Sequence, residues 1–262
     1  MHTMSRLAQE VKPLLATRRF GQALRAYDTV DSTNTLAMAW ADVGAAEGST
    51  VMAEFQRMGR GRQGRRWNAA PGKNLMLSVI LRPRLQPLQL GLITLAASLA
   101  VFDVLRHVAS PVEASVKWPN DILLAGRKCC GMLLESLLSP AKAPVVVLGI
   151  GLNVNQNTFP PELEQRATSI LLETGQQTPR GMLAASLLAR LEHRYESLHL
   201  HSAAITSEYT CHLHDLGKTV SVKGPPPVTG KALGVTETGA LRLQADAGEY
   251  VVHAGDATLA RA

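Results

Sequence analysis

Residues 59–67 read Gly59-Arg60-Gly61-Arg62-Gln63-Gly64-Arg65-Arg66-Trp67, glycines alternating with arginines and closed by a tryptophan. Glycine admits positive φ and lets a backbone pass close to a ligand. Arginine carries a permanent charge on a planar fork that takes two phosphate or carboxylate oxygens at once. Together they predict a loop that folds over a polyanion beneath an apolar lid. A solvated basic loop and a nucleic-acid-binding patch share this composition and stand as alternatives. Val51 to Gln56 reads as a strand leading into the loop. Asn74 to Leu81, Asn-Leu-Met-Leu-Ser-Val-Ile-Leu, follows it as a strand apolar enough to be buried on both faces.

Outward from this core the pattern alternates. Residues 4–16 read as a helix and 23–30 as extended chain. Ser32-Thr33-Asn34 offers N-cap oxygens ahead of Leu36-Ala37-Met38-Ala39-Trp40, so a helix is expected to start there. A long helix is expected over about 88–108. Ala125-Gly126-Arg127 reads as a turn joining apolar strands 121–124 and 128–137, Val145 to Asn153 as another buried strand, and Arg180 to Leu200 as an amphipathic helix. Composition changes after about residue 214. Gly-Pro-Pro-Pro (224–227), Thr-Gly (229–230) and Thr-Gly-Ala (238–240) separate short alternating segments at 219–223, 230–235, 240–245 and 249–253, the pattern of a small β-barrel. The expected division is an α/β body over 1–214 and the barrel over 215–262.

Charge narrows the function classes. Arg57, Arg60, Arg62, Arg65, Arg66 and Lys73 carry six positive charges where no acid occurs, equal to the whole formal excess of +6. A nucleic-acid binder spreads its basic residues over a face or along a helix. Concentration in one glycine-rich loop points to a small anion instead, although Arg6, Lys12, Arg18, Arg19 and Arg25 add a second basic stretch, read as the polar face of a helix. The nearly apolar run Leu90 to Phe102 is shorter than the roughly 20 residues that span a bilayer, and no signal peptide is visible, so no membrane association is expected. Three cysteines make no disulfide framework, and adjacent Cys129 and Cys130 on a strand are expected to point to opposite faces as reduced core residues of a cytoplasmic protein. No Cys/His spacing suggests zinc; His199, His201, His212 and His214 are read as surface histidines.

Three further clusters carry chemistry: Lys117-Trp118-Pro119-Asn120-Asp121, Arg127-Lys128-Cys129-Cys130-Gly131-Met132-Leu133-Leu134-Glu135, and Gly149-Ile150-Gly151-Leu152-Asn153-Val154-Asn155. Singly, each has a structural explanation: a turn, a strand-edge lysine, a strand ending in close backbone approach. In this order, with Asp31-Ser32-Thr33-Asn34 upstream and the glycine-arginine loop between, the set resembles the biotin protein ligases, also called biotin–[acetyl-CoA-carboxylase] ligases. The resemblance runs from about residue 27 to the end. The related lipoate and octanoyl transferases share the fold but not this pair of motifs.

The resemblance implies an α/β (α+β) catalytic domain, a mixed sheet flanked by helices related to class II aminoacyl-tRNA synthetases, followed by an SH3-like barrel. It implies two steps: biotin and ATP give biotinyl-5′-AMP and pyrophosphate, and the biotinyl group then passes to a lysine of the biotin carboxyl carrier protein of acetyl-CoA carboxylase. Bringing a carboxylate to the α-phosphate of ATP sets one anion against another, so preorganised cations are required. By position, Arg60 and Arg62 match the family residues that meet the biotin carboxylate and the phosphate, and Lys128 the lysine that bridges them. Ser32, Thr33, Asn34, Gln56, Gly61 and Gly131 match the biotin side. Arg65, Trp67, Lys117, Asn120 and Asn153 match the adenylate side, with Trp67 packing over the nucleotide. Asp121 is expected to orient the acceptor lysine and take its proton. Magnesium is expected with ATP, held by phosphate oxygens and water and not by a protein cage. About 25 residues precede the first core strand, too few for the winged helix-turn-helix of some family members, so no specific DNA binding is expected. A monomer or a weak homodimer fits equally. A lipoate- or octanoate-handling ligase and a non-catalytic binder of nucleic acid or small anions are the rival readings.

Overall fold

Leu75–Leu81 is buried at every position, as an unbroken apolar run requires when both faces of a sheet are covered. In the computed structural model, which describes residues 5–139, 142–223 and 227–259, this run is a central strand of a seven-stranded sheet. In chain order the elements are α1 (Arg6–Val11), β1 (Leu24–Val30), α2 (Thr33–Asp42), β2 (Thr50–Gln56), β3 (Leu75–Leu81), α3 (Gly91–Val108), β4 (Ala114–Lys117), β5 (Asp121–Leu124), β6 (Arg127–Ser139) and β7 (Lys142–Leu152). Three helices follow: α4 (Ile170–Thr174), α5 (Arg180–Leu200) and α6 (Ser202–Cys211). The strand order is β1-β2-β3-β7-β6-β5-β4. β1 and β2 are parallel, and the remaining neighbours are antiparallel. The sheet is mixed and flanked by helices, as expected.

The two faces of the sheet are unequal. Leu75, Leu77, Val79 and Leu81 join the large core with residues of α3 and α5. The other face carries a small cluster of Val51, Ile80 and Val147 beneath Ala37 and Ala41 of α2. Strand pairing sets Ser78 opposite Gly149, Gly151 opposite Met76, and Gly131 opposite Gly151. With period-2 alternation, Gly149 and Gly151 share the face of Val147. Small residues beside a short helix leave a hollow there.

The segment Pro87–Val108 is longer than the apolar run read from sequence and meets the length and composition of a membrane span, but 78% of its apolar window is buried inside the fold. It is the core helix. The expected helix over 4–16 is shorter: α1 gives way to a 3-10 turn at Lys12–Leu14, where Pro13 has no N–H to continue the α-helical ladder; Met4 lies outside the described residues. β4, α4 and α6 were not expected.

After α6 come β8 (Thr219–Val222), β9 (Val228–Val235), β10 (Leu241–Ala245), β11 (Gly248–Val252) and β12 (Ala257–Leu259). They form an antiparallel sheet ordered β11-β10-β9-β8-β12, consistent with the SH3-like module. Residues 224–226 of the Gly-Pro-Pro-Pro turn lie outside the described residues. Val220, Val222, Leu241 and Leu243 join the same apolar core as α3, and Trp118 Nε1 donates to the carbonyl of Gly239 at 3.0 Å.

Cys129 and Cys130 are buried, Cys211 is exposed and all three are free; burial pushes the two buried thiols far up, which keeps them inert. The histidines divide. His199 and His201 are exposed, but His212 and His214 are half-buried. The His212 ring lies 4.2 Å from that of Phe102. His214 Nδ1 lies 3.1 Å from Ser115 Oγ, and burial lowers its pKa.

Glu192 of α5 is 6% exposed and accepts the backbone N–H groups of Arg18 at 2.8 Å, Arg19 at 2.7 Å and Phe20 at 3.1 Å. Those donors precede β1 and have no helix or strand partner, so the buried carboxylate satisfies them. Glu192→Ala is expected to cost about 3 kcal/mol and to lower the thermal midpoint by roughly 5–10 °C, read by circular dichroism. An unchanged midpoint would contradict the assignment.

Candidate active site

Strict alternation would put Lys128 and Gly131, three residues apart on β6, on opposite faces. The pairing of β5 with β6 runs Asp121 to Gly131, Ile122 to Cys130, then Leu123 to Lys128, leaving Cys129 as the extra residue of a bulge. One inserted residue reverses the alternation. Lys128, Gly131 and Asp121 therefore share a face, and Lys128 Nζ lies 2.7 Å from Asp121 Oδ1. That oxygen is buried and otherwise lacks a partner. Behind Lys128, the backbone of residues 166–168 pairs with it: Lys128 N–H donates to the Arg166 carbonyl at 2.8 Å and Thr168 N–H to the Lys128 carbonyl at 2.9 Å.

The hollow on this face is a cavity of about 310 Å³, at the lower end of the range for small-molecule sites. Its floor is glycine. A Cβ at Gly131 would stand 3.0 Å from the Trp67 ring and 3.1 Å from Lys128 Nζ, a Cβ at Gly151 would overlap the Trp67 indole, and one at Gly149 would overlap the Asn34 amide. Trp67 lies across the floor with Nε1 buried and unpartnered, and Lys128 Nζ is 5.8 Å from its ring centroid.

One end of the cavity is polar and formally neutral. Ser32 stands at the N-cap of α2 without a side-chain capping bond, contrary to the sequence expectation. Gln56 Oε1, arriving from the end of β2, accepts Thr33 N–H at 2.7 Å and the Thr33 hydroxyl at 3.0 Å. A tertiary contact thus replaces the local cap, fixing Gln56 and α2 against each other. Ser78 Oγ lies 2.8 Å from Thr33 Oγ1 and 2.6 Å from Asn34 Oδ1.

The other end is cationic. Gln63 takes φ 55° and Gly64 φ 72°, the left-handed turn that folds the loop back so that Gly61 N–H reaches the Arg65 carbonyl at 2.7 Å. Arg60 pairs with Glu135 at 2.9 Å. Arg62 donates to Asn120 Oδ1 at 3.1 Å and to the Gly255 carbonyl at 3.3 Å. Arg65 pairs with Asp256 at 2.7 Å, so the C-terminal module holds the loop from outside. Asn120 is itself fixed, donating to the Met132 carbonyl at 2.7 Å.

Ser32, Thr33, Asn34, Gln56, Arg60, Gly61, Arg62, Arg65, Trp67, Asn120, Asp121, Lys128, Gly131 and Asn153 all line this one cavity. Asn153 Nδ2 donates to the Thr168 carbonyl at 2.9 Å, and its Oδ1 is buried without a partner. Lys117 is the exception. It is not among the lining residues, and its ammonium pairs with the buried Asp215 at 3.3 Å. A carboxylate just after α6 claims the charge, and no pattern around Lys117 reveals that. Sequence reading also passed over Ser78, Phe159, Leu163 and Arg166, assigned Glu135 no role, and missed Asp256. Ser78 was signalled, being the one hydroxyl within an apolar strand. Phe159, Leu163 and Asp256 carry no local signal.

Fold and cavity define a ligase of the biotin and lipoate class. The model of the Biotin/lipoate A/B protein ligase family matches residues 26–153, and that of the Biotin protein ligase C terminal domain matches residues 215–259. A biotin--[acetyl-CoA-carboxylase] ligase of Mycobacterium tuberculosis is 37% identical over 90% of this chain and 90% of its own. The bifunctional ligase/repressor BirA of Bacillus subtilis is 32% identical over 95% of this chain and 78% of its own. Among solved structures, the biotin protein ligase from Aquifex aeolicus in complex with biotin and ATP superposes with a TM-score of 0.81 at 28% identity, covering 92% of this chain and 100% of that one. The chain belongs to the biotin protein ligase family.

Proposed function

We propose that this cavity joins biotin to ATP, releasing pyrophosphate, and then passes the biotinyl group from biotinyl-5′-AMP to a lysine of the biotin carboxyl carrier protein of acetyl-CoA carboxylase. The observation that carries the reading is the polarity of the cavity. Neutral hydrogen-bonding groups of Ser32, Thr33, Asn34 and Gln56 and the cations Lys128, Arg60 and Arg62 line one cavity, and the bulge in β6 turns Lys128 to its face. Relatives named biotin--[acetyl-CoA-carboxylase] ligase and a structural neighbour holding biotin and ATP support the substrates.

In the first step a biotin carboxylate oxygen attacks the α-phosphorus and the bond to pyrophosphate breaks. Lys128, Arg60 and Arg62 offset the charge gathered there, at little reorganisation cost because they are already paired. Arg65, Asn120, Asn153 and the Trp67 indole N–H are assigned to the adenylate, with Trp67 shielding the mixed anhydride from water. In the second step the acceptor amine attacks the acyl carbon, AMP leaves, and Asp121 takes the amine's proton. Among the described residues no group of three or more His, Cys, Asp or Glu side chains is arranged to hold a metal ion. Asp121 and Asp256 are engaged by Lys128 and Arg65. Magnesium arriving with ATP is assigned to phosphate oxygens and water, which it retains readily as ligands. Residues 1–214 are taken as the catalytic unit and 215–262 as the module that steadies the arginine loop. The burial of Cys129 and Cys130 as free thiols is in keeping with a cytoplasmic setting.

Incubating the purified chain with biotin, ATP and a purified biotin carboxyl carrier domain is expected to add one biotinyl group to one lysine, read by intact-mass spectrometry. Transfer of lipoate or octanoate in place of biotin would overturn the substrate.

A further inference from the structure

We propose that Glu135 is a positioning residue for biotin activation, setting Asn34 at the neutral end of the cavity and Arg60 at the cationic end through a single carboxylate oxygen. This rests on the reading of the site given above. Glu135 Oε2 accepts from Asn34 Nδ2 at 2.7 Å and from Arg60 Nη2 at 2.9 Å. Its position on β6 pairs with Val147, two residues from the pairing of Leu133 with Gly149, so alternation places it on the cavity face.

Two consequences follow from chemistry. An amide side chain fits a site either way round, and its neighbours decide which. The Glu135 carboxylate and the Leu133 carbonyl, the latter at 3.3 Å, can only accept. Asn34 is forced to present its nitrogen to them and its oxygen to the Ser78 hydroxyl. Arg60 stands on a glycine-flanked loop with its side chain 47% exposed, where a free guanidinium would sample many rotamers. Anchored by one nitrogen to Glu135 and to Thr35 Oγ1 at 3.4 Å, it offers its remaining donors to a ligand in a fixed direction. The polar contacts run unbroken from Gln56 through Thr33, Ser78, Asn34 and Glu135 to Arg60. Occupancy of the neutral end thereby bears on the cation that meets the carboxylate.

Glu135→Gln keeps an oxygen for Asn34 and removes the charge that holds Arg60. Biotin affinity by titration calorimetry is expected to stay within about threefold of wild type, while kcat for biotin-dependent pyrophosphate exchange falls about tenfold. Glu135→Ala removes both contacts and is expected to weaken biotin binding by about tenfold as well. On an Arg60→Ala background, Glu135→Gln is expected to change exchange by less than about twofold, because a residue acting through Arg60 has nothing left to position. Glu135→Asp, too short to reach both partners, serves as a second variant and is expected to show the same dependence on Arg60. Wild-type exchange in Glu135→Gln, or losses that multiply with Arg60→Ala, would overturn the assignment while leaving the site reading intact. Failure of the wild-type chain to bind biotin would overturn both.

Discussion

Lys128→Ala is expected to lower the rate of biotin-dependent pyrophosphate exchange by about 100- to 1000-fold, with a much smaller change in biotin affinity. The Lys128 backbone is fixed by that of residues 166–168, and its ammonium is held by Asp121 at 2.7 Å. It is therefore fixed before substrate arrives, and its value lies in charge that builds up only as the carboxylate meets the phosphate. Loss in kcat with little change in binding is the signature of an interaction made in the transition state. The side chain is 35% exposed, so its removal leaves no closed void, and the melting midpoint is expected to hold. Lys128→Arg keeps the charge but brings a larger planar group into a space where a Gly131 Cβ would already stand 3.1 Å from Nζ; it is expected to recover little. Exchange within tenfold of wild type in Lys128→Ala would remove Lys128 from the centre of the account.

Asp121→Asn is expected to separate the two steps. An acceptor lysine has an unperturbed pKa of about 10.4 and attacks only after losing its proton, so a base close to the incoming amine is required. General-base residues contribute about 100- to 10,000-fold. Single-turnover transfer from preformed biotinyl-5′-AMP to the carrier domain is expected to slow by about 100-fold or more, while exchange changes only a few-fold. The paired Lys128 complicates the substitution in a defined way: freeing it from Asp121 alters adenylation, not transfer. Equal losses in both steps would mean that Asp121 serves only to hold Lys128.

Much of this was legible in the chain because the site is built from local motifs. The glycine-arginine loop, the Lys128–Gly131 segment and the Gly149–Asn153 strand end each supply two or more cavity residues, and the periodicities of β3, α3 and α5 gave the layers that position them. What sequence could not supply was mostly contact between distant segments. The bulge that turns Lys128 toward Asp121 depends on register between β5 and β6, and strict alternation reads the opposite. α2 starts at Ser32-Thr33 as expected, but the oxygen that takes the Thr33 N–H comes from Gln56, 23 residues on, and not from a local side chain. Lys117 stands in a recognisable motif and yet is held by Asp215, 98 residues on. Asp256 lies 191 residues after Arg65, in the loop before β12, and nothing near either residue signals the pair. The missed α6 is rich in serine, threonine and small residues, and its pattern carries no distinct apolar face.

The central claim is that a neutral end selecting biotin and a cationic end built on Lys128 act together to activate a carboxylate on ATP. It is tested most directly by exchange of labelled pyrophosphate into ATP with the purified chain, adding biotin, lipoate or octanoate separately. Exchange that depends on biotin and is absent with the other two acids is the predicted result. Exchange with another acid would keep the fold and the cations but overturn the assignment of the neutral end, and no exchange with any acid would contradict activation at this site altogether.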